Sequence, residues 1–314
     1  MAEAAPFFAD LAQAPPPLRC ERIESAGARL RAAYWRGNGR GLALVLHGRT
    51  EYLEKYGRVI ARLLGAGFSV ASADWRGQGL SERTPGAGML GDVAHFDLYQ
   101  RDLAALLAWA PVAADRAPRF ALAHSMGGAV AMRAIMRGAL APRAAIFSAP
   151  MWGLNLSLPA ALAGRLMAAA AVRLGLGLAP VPGQDPDTPY VLREPFESNV
   201  LTSCPEHYEW MRAHLRARPE LGVTAPTMRW AHAAFREMAF IRRAPVPDTP
   251  FLALLGSEEK VVSPEVVELC VERSGARIER LNGARHEVLM EPFDRAPGLH
   301  AWHAMQAFLN AAGF

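Results

Sequence analysis

The run Ala123-His124-Ser125-Met126-Gly127, followed by Gly128, has the composition of a turn built to expose a hydroxyl. An apolar segment, residues 119–122, leads into it, and an alanine-rich stretch of helical character, 129–135, leads out. A serine at a sharp strand-to-helix turn, with small residues two places to either side, is the arrangement of a nucleophile elbow. Such a turn strains its central residue, so the flanking side chains must be small. The strain lifts the serine oxygen clear of the sheet. The first small position, commonly glycine, is Ala123 here. A serine hydroxyl is a weak nucleophile at neutral pH; it needs a histidine within hydrogen-bond reach and an acid to orient that histidine.

In the chain order serine, acid, histidine, the base must follow the elbow and the later strands. His286 lies in Leu281-Asn282-Gly283-Ala284-Arg285-His286-Glu287, a glycine-containing loop directly after the last expected strand. His300 and His303 sit three apart on an amphipathic helix and read as packing or surface residues. His124 reads as a packing or hydrogen-bonding neighbour of the serine, and His47 as a loop-shaping residue. The acid belongs in the loop Gly256-Ser257-Glu258-Glu259-Lys260-Val261-Val262, where two glutamates compete. A Gly-x-x-Asp-x-Val-Val pattern common in this architecture favours Glu259, with Glu258 as the alternative. An oxyanion hole needs backbone N–H groups. Met126, at a helix start, and Arg49, after a glycine that permits close approach, are the expected donors.

The elements that must position these groups alternate along the chain. Strands are expected at 19–24, 28–35, 41–46, 68–73, 119–123, 143–147, 251–255 and 277–281, with helices at 56–64, 97–110, 264–274 and 300–312. Continuous apolar runs such as Gly41–Leu46 suit strands covered on both faces. Strands alternating with helices predict an α/β fold with a doubly wound, mostly parallel sheet. Right-handed crossovers then place His47, Asp74, Ser125, Ser148 and Gly256 on one rim. The strand pattern stops at 151 and resumes at 251; between them lie helical runs at 160–174, 206–217 and 227–241. The expected organisation is a loose N-terminal arm (1–18), a core (19–150 and 248–314) and a helical cap (151–247) over the serine.

Composition narrows the classes. The chain has 314 residues, half of them hydrophobic, which allows a sizeable core. A net charge of +4 without a dense basic block gives no support to nucleic-acid binding. Cys20, Cys204 and Cys270 have neither metal-ligand spacing nor a disulfide pattern, so a reduced, cytoplasmic setting is expected. The N-terminus lacks the basic region of a secretory signal. No run of eighteen apolar residues is free of charge.

The stretches Leu44 to Tyr52 (Leu-Val-Leu-His-Gly-Arg-Thr-Glu-Tyr) and Asp74 to Ser81 (Asp-Trp-Arg-Gly-Gln-Gly-Leu-Ser), the elbow, and Gly283 to Glu287 together resemble the α/β-hydrolase superfamily. More narrowly they resemble its bacterial lysophospholipase and monoacylglycerol lipase-like group, and cap segments 199–203 and 226–230 extend the likeness. The resemblance implies Ser125 as nucleophile, His286 as base, an acid at Glu259, oxyanion donors at Arg49 and Met126, and no metal or organic cofactor. It implies a lipid-ester substrate, an acylglycerol or lysophospholipid, cleaved through an acyl-enzyme. Glu51 is expected to support the oxyanion loop. Cap aromatics Trp152, Tyr190 and Trp230 are candidate substrate contacts, and helix 160–174, with Arg165 and Arg173, a candidate for transient contact with a membrane or micelle surface. Arg49, Arg193 and Arg229 are candidates for a headgroup phosphate. Alternatives are another acyl substrate on the same triad (a thioesterase, or an aminopeptidase anchored by Glu194, Glu197, Glu206 or Glu209) and a non-catalytic hydrolase-fold binding protein.

Overall fold

A computed structural model describes residues 3–314. The chain enters through a short edge strand, β1 (Glu3–Ala4), a helical turn, α1 (Ala9–Ala12), and an antiparallel pair, β2 (Arg19–Ser25) and β3 (Ala28–Trp35). Strands and helices then alternate: β4 (Gly41–Leu46), α2 (Gly57–Gly65), β5 (Phe68–Ala73), α3 (Asp97–Ala108), α4 (Ala110–Ala114), β6 (Arg119–His124), α5 (Met126–Met136) and β7 (Ala144–Ser148). An insertion carries α6 (Leu158–Arg173), α7 (Tyr190–Arg193), α8 (Pro205–Ala217) and α9 (Met228–Arg243). The alternation resumes with β8 (Phe251–Gly256), α10 (Pro264–Ser274), β9 (Arg277–Leu281) and α11 (Gly298–Ala311).

The nine strands form one sheet in the order β1-β2-β3-β5-β4-β6-β7-β8-β9, parallel from β5 to β9 and antiparallel at the β1–β3 edge. β4 shows why continuous apolar runs become central strands. Leu42, Leu44 and Leu46 face the layer of α3, α5 and α10, whereas Ala43 and Val45 face that of α2 and α11. Helices on both faces make the sheet doubly wound. Caps set several helix ends: the Ser263 hydroxyl accepts from Val266 N at 3.3 Å at the start of α10, and Gly275 closes that helix with φ +60°.

Two expectations change. The helix over 97–110 stops at Ala108, Trp109 turns extended (ψ 133°), and α4 restarts with a proline in its first turn. Pro111 has no N–H to give the preceding turn and its ring excludes continuation. The arm is not loose either, although residues 1 and 2 lie outside the described residues. β1 pairs with β2, Trp35 Nε1 donates to Pro15 O at 2.8 Å, and Trp210 Nε1 of α8 donates to Leu11 O at 2.9 Å. At Gly57 an added Cβ would overlap the Ala12 backbone, so the arm lies directly on α2.

A buried ion cluster locks the arm, β3 and the loops after β4 and β5 together. Arg31, fully buried, reaches Glu54 at 2.7 Å, Asp74 at 2.7 Å and the Pro6 carbonyl at 3.0 Å. Asp74 also accepts from Leu53 N and Leu80 N, at 2.9 and 2.8 Å. Removing the guanidinium leaves two buried carboxylates without their cation. Arg31→Met is therefore expected to cost about 3–5 kcal/mol, measured by urea unfolding at pH 7; a loss below about 1 kcal/mol, the range of exposed pairs, would contradict this account.

Candidate active site

The turn between β6 and α5 holds Ser125 at φ +48°, ψ −115°, a left-handed conformation rare for a residue with a side chain. Close packing enforces it. An added Cβ at Gly127 would overlap the Leu46 carbonyl, and one at Gly128 would lie 2.7 Å from Pro150 Cβ. Ala123, with its methyl, is accommodated fully buried in β6. Ser125 N donates to Ser148 O at 3.0 Å, tying the turn to the end of β7.

His286 and Glu259 arrive from the loops after β9 and β8. His286 Nε2 lies 3.0 Å from Ser125 Oγ, and its Nδ1 lies 2.8 Å from Glu259 Oε2. The other carboxylate oxygen, Oε1, accepts from Val261 N at 2.6 Å and Val262 N at 3.0 Å. Burial pushes the Glu259 carboxyl up, but the facing imidazole and these N–H donors outweigh it and hold the group below the usual glutamate range. Glu258 points outward, exposed, with Arg285 at 3.6 Å. The extra methylene of a glutamate, relative to an aspartate, is taken up by this double anchoring. The His286 loop is pinned from the insertion: His286 N and Glu287 N donate to Val200 O and Leu201 O at 3.2 and 2.7 Å.

Arg49 lies in the loop after β4 and Met126 opens α5 directly after the serine, and neither backbone N–H has a hydrogen-bond acceptor among the described residues. Gly48 lets the Arg49 loop approach; a Cβ there would lie 2.8 Å from Glu51 Oε2 and 3.1 Å from Ser125 Cβ. Glu51 accepts from Gly48 N and, at 2.8 Å, from Tyr56 Oη. Thr50 N donates to Gln78 Oε1 at 2.7 Å.

Beneath the histidine lies a buried group that the sequence reading did not assemble. Lys55 Nζ sits between Glu51 (2.7 Å) and Glu287 (2.6 Å), and the His124 ring packs on the His286 ring with centroids 4.9 Å apart. Glu51, His124 and Glu287 could together ligate a cation. The Lys55 ammonium already occupies the charge position between the two carboxylates. Burial opposes ionisation of Glu51, but the ammonium outweighs it and keeps that carboxyl far below its ordinary range. A signal was present in the chain: Lys55 is one of only two lysines and stands four residues after Glu51.

Ser125, His286, Arg49, Tyr190, Leu215 and Val223 wall a cavity of about 360 Å³. Of the three aromatics expected to touch substrate, only Tyr190 lines it. Trp152 is fully buried against Phe147 and Phe251, because it follows β7 directly and falls into the core layer instead. Trp230 is buried behind Arg49, whose guanidinium lies 5.5 Å from its ring. Among the described residues, no helix is long and apolar enough to cross a membrane.

Residues 37–293 match the family described as serine aminopeptidase, S33. The chain is 30% identical over 280 residues to lysophospholipase L2 of Escherichia coli (strain K12), covering 86% of this chain and 80% of that protein. It is 29% identical over 255 residues to the probable lysophospholipase L2 of Haemophilus influenzae, covering 80% and 79%. Among solved structures, a soluble variant of monoglyceride lipase from Saccharomyces cerevisiae superposes with a TM-score of 0.72 at 18% identity, over 98% of this chain and 99% of that one. The monoacylglycerol lipase of Paleococcus ferrophilus gives 0.70 at 21%, over 90% and 99%. At those identities the likeness is one of fold.

Burial lowers His124 to about pKa 4 against the opposing pull of Glu51, so the folded protein resists protonating it where an unfolded chain does not. With an unfolded value near 6.5, stability falls as pH drops from 6.5 towards 4, because the unfolded state binds the extra proton. His124→Asn, which does not titrate, is expected to lessen the stability lost between pH 7 and 5 by about 2 kcal/mol; urea unfolding at both pH values checks it.

Proposed function

We propose, for a chain that belongs to the serine aminopeptidase S33 family within the α/β hydrolases, that Ser125, His286 and Glu259 form a catalytic triad cleaving the carboxylic esters of acylglycerols or lysophospholipids. The reading rests above all on one observation: His286 bridges Ser125 Oγ at 3.0 Å and Glu259 at 2.8 Å, at the wall of a cavity of about 360 Å³.

Ser125 Oγ attacks the ester carbonyl while His286 Nε2 takes its proton. Glu259 fixes the Nδ1–H tautomer and stabilises the imidazolium. The carbonyl oxygen, gaining charge, turns to the free N–H groups of Arg49 and Met126, aided by the α5 dipole. The C–O bond breaks, and His286 hands its proton to the departing alcohol. Water, deprotonated by the same nitrogen, attacks the acyl-serine. The fatty acid leaves, and Ser125 recovers its proton. Apolar walls at Val191, Leu201, Leu215 and Val223 suit an acyl chain. Residues 151–247 act in this reading as a cap that supplies most of those walls.

A peptide substrate finds less support. None of the four cap glutamates offered as an amine anchor lines the cavity. Glu206 pairs with Arg295, and Glu209 with Arg216. The carboxylates that do line it, Glu51, Asp185 and Glu287, face Lys55 or Arg193.

The outer face of α6 supports a role at a lipid surface. Leu158 is 83% exposed and Leu174 74%, with Leu162, Leu166 and Leu176 also in solvent. No acidic residue occurs from 151 to 184, while Arg165 and Arg173 do. Leucines in water beside arginines favour an anionic bilayer surface.

Ser125→Ala is expected to lower kcat on acyl esters by about 10³-fold or more, and Glu259→Gln by roughly 10²–10⁴-fold. Steady-state assays and labelling by a fluorophosphonate check both; undiminished turnover by the alanine variant refutes the mechanism. Leu162→Gln with Leu166→Gln is expected to reduce co-sedimentation with anionic vesicles while sparing hydrolysis of a short, water-soluble ester.

A further inference from the structure

The three arginines that could meet a headgroup have different partners. Arg229 is neutralised by Asp92, with Nη2 and Nε at 2.5 and 3.1 Å from its carboxylate oxygens. Arg193 faces Asp185 at 3.8 Å and lies over the Tyr190 ring. Arg49 has no carboxylate partner among the described residues. Its Nη1 donates to the Thr224 carbonyl at 2.9 Å, its guanidinium lies over the Trp230 ring, and the residue lines the cavity. Burial alone pulls its pKa down to about 10, a sign of a cation kept from water without a counter-charge.

Behind that guanidinium, off the cavity, Gln78 and Trp230 turn to the Tyr99 hydroxyl and so serve one another. Of the three arginines only Arg49 and Arg193 line the cavity, and Arg193 already has its acid. A cation on the cavity wall without a carboxylate partner calls for an oxygen-rich anion. A phosphate matches the planar fork of an arginine better than the carbonyl or hydroxyl groups of a neutral glyceride.

We propose that the Arg49 side chain anchors the phosphate of a lysophospholipid, making this residue the determinant of phosphate-bearing over neutral acylglycerols. The assignment rests on the ester-hydrolase reading for its substrate geometry. The backbone N–H of Arg49 faces the ester oxygen in that reading, and its side chain belongs to the wall of the same cavity.

The test compares full-length wild-type protein with Arg49→Gln and Arg49→Lys, on lysophosphatidate and on monoacylglycerol of the same acyl chain. Arg49→Gln is expected to lower kcat/KM for lysophosphatidate about tenfold or more beyond any fall for monoacylglycerol, chiefly through KM, with Arg49→Lys intermediate. Equal falls on both substrates overturn the assignment and leave Arg49 a strap between the loop and Thr224. A non-hydrolysable ether analogue of lysophosphatidate, titrated calorimetrically, reads the anchor without turnover: tenfold weaker binding to Arg49→Gln supports it, and equal binding overturns it. Wild-type protein that binds the analogue yet cleaves neither ester overturns the hydrolase reading alone. Inorganic phosphate binding as tightly as the analogue overturns the lipid assignment in favour of a free anion.

Discussion

Ser125 holds a backbone conformation that costs a residue with a side chain roughly 1–3 kcal/mol, and the surrounding packing keeps it there. The Leu46 carbonyl meets Gly127, Pro150 meets Gly128, and Ser148 accepts the Ser125 N–H. These contacts come from the ends of β4 and β7, the strands flanking β6 in the parallel sheet. The hydroxyl is therefore placed by the sheet itself. The loops after β8 and β9, one and two strands beyond β7, need only bring a carboxylate and an imidazole to the same edge.

Charge, more than apolar packing, shapes the floor of the site. Glu51 reaches Gly48 N, Tyr56 and Lys55, and Lys55 reaches Glu287, the residue after His286. The loop bearing one proposed oxyanion donor and the loop bearing the proposed base are thus joined through a single buried ammonium. Glu51 and Glu287 share one ammonium beside the paired rings of His124 and His286. A buried ion network gives little net stability; its value here is that both loops are fixed with respect to each other.

The sheet and the convergence of Ser125, Glu259 and His286 were legible because each group follows a continuous apolar run, and parallel strands deliver such positions to one rim. Glu258 and Glu259 could be ranked by spacing, yet their orientations separate only where Val261 N and Val262 N both donate to Glu259 Oε1 and His286 meets its Oε2. What escaped the sequence depends on long-range approach. The arm lies on α2 because Gly57 leaves room, which composition does not reveal. Trp152 and Trp230 look like pocket aromatics by type, but both are core residues, since large apolar side chains beside a strand end or a helix start are buried wherever volume remains. Arg49 could not be told from Arg193 and Arg229 until their carboxylate neighbours were placed.

The insertion and the histidine loop share two backbone hydrogen bonds, from residues 286 and 287 to the carbonyls of 200 and 201. A second seam runs through Thr224 N to Met89 O, Gly91 N to Ala225 O and Thr227 N to Gly91 O. Swinging the whole insertion away would break these bonds and pull on the loop that holds the imidazole 3.0 Å from the Ser125 hydroxyl. Drift in the roof near 200–201 is therefore felt at the proposed catalytic pair below it.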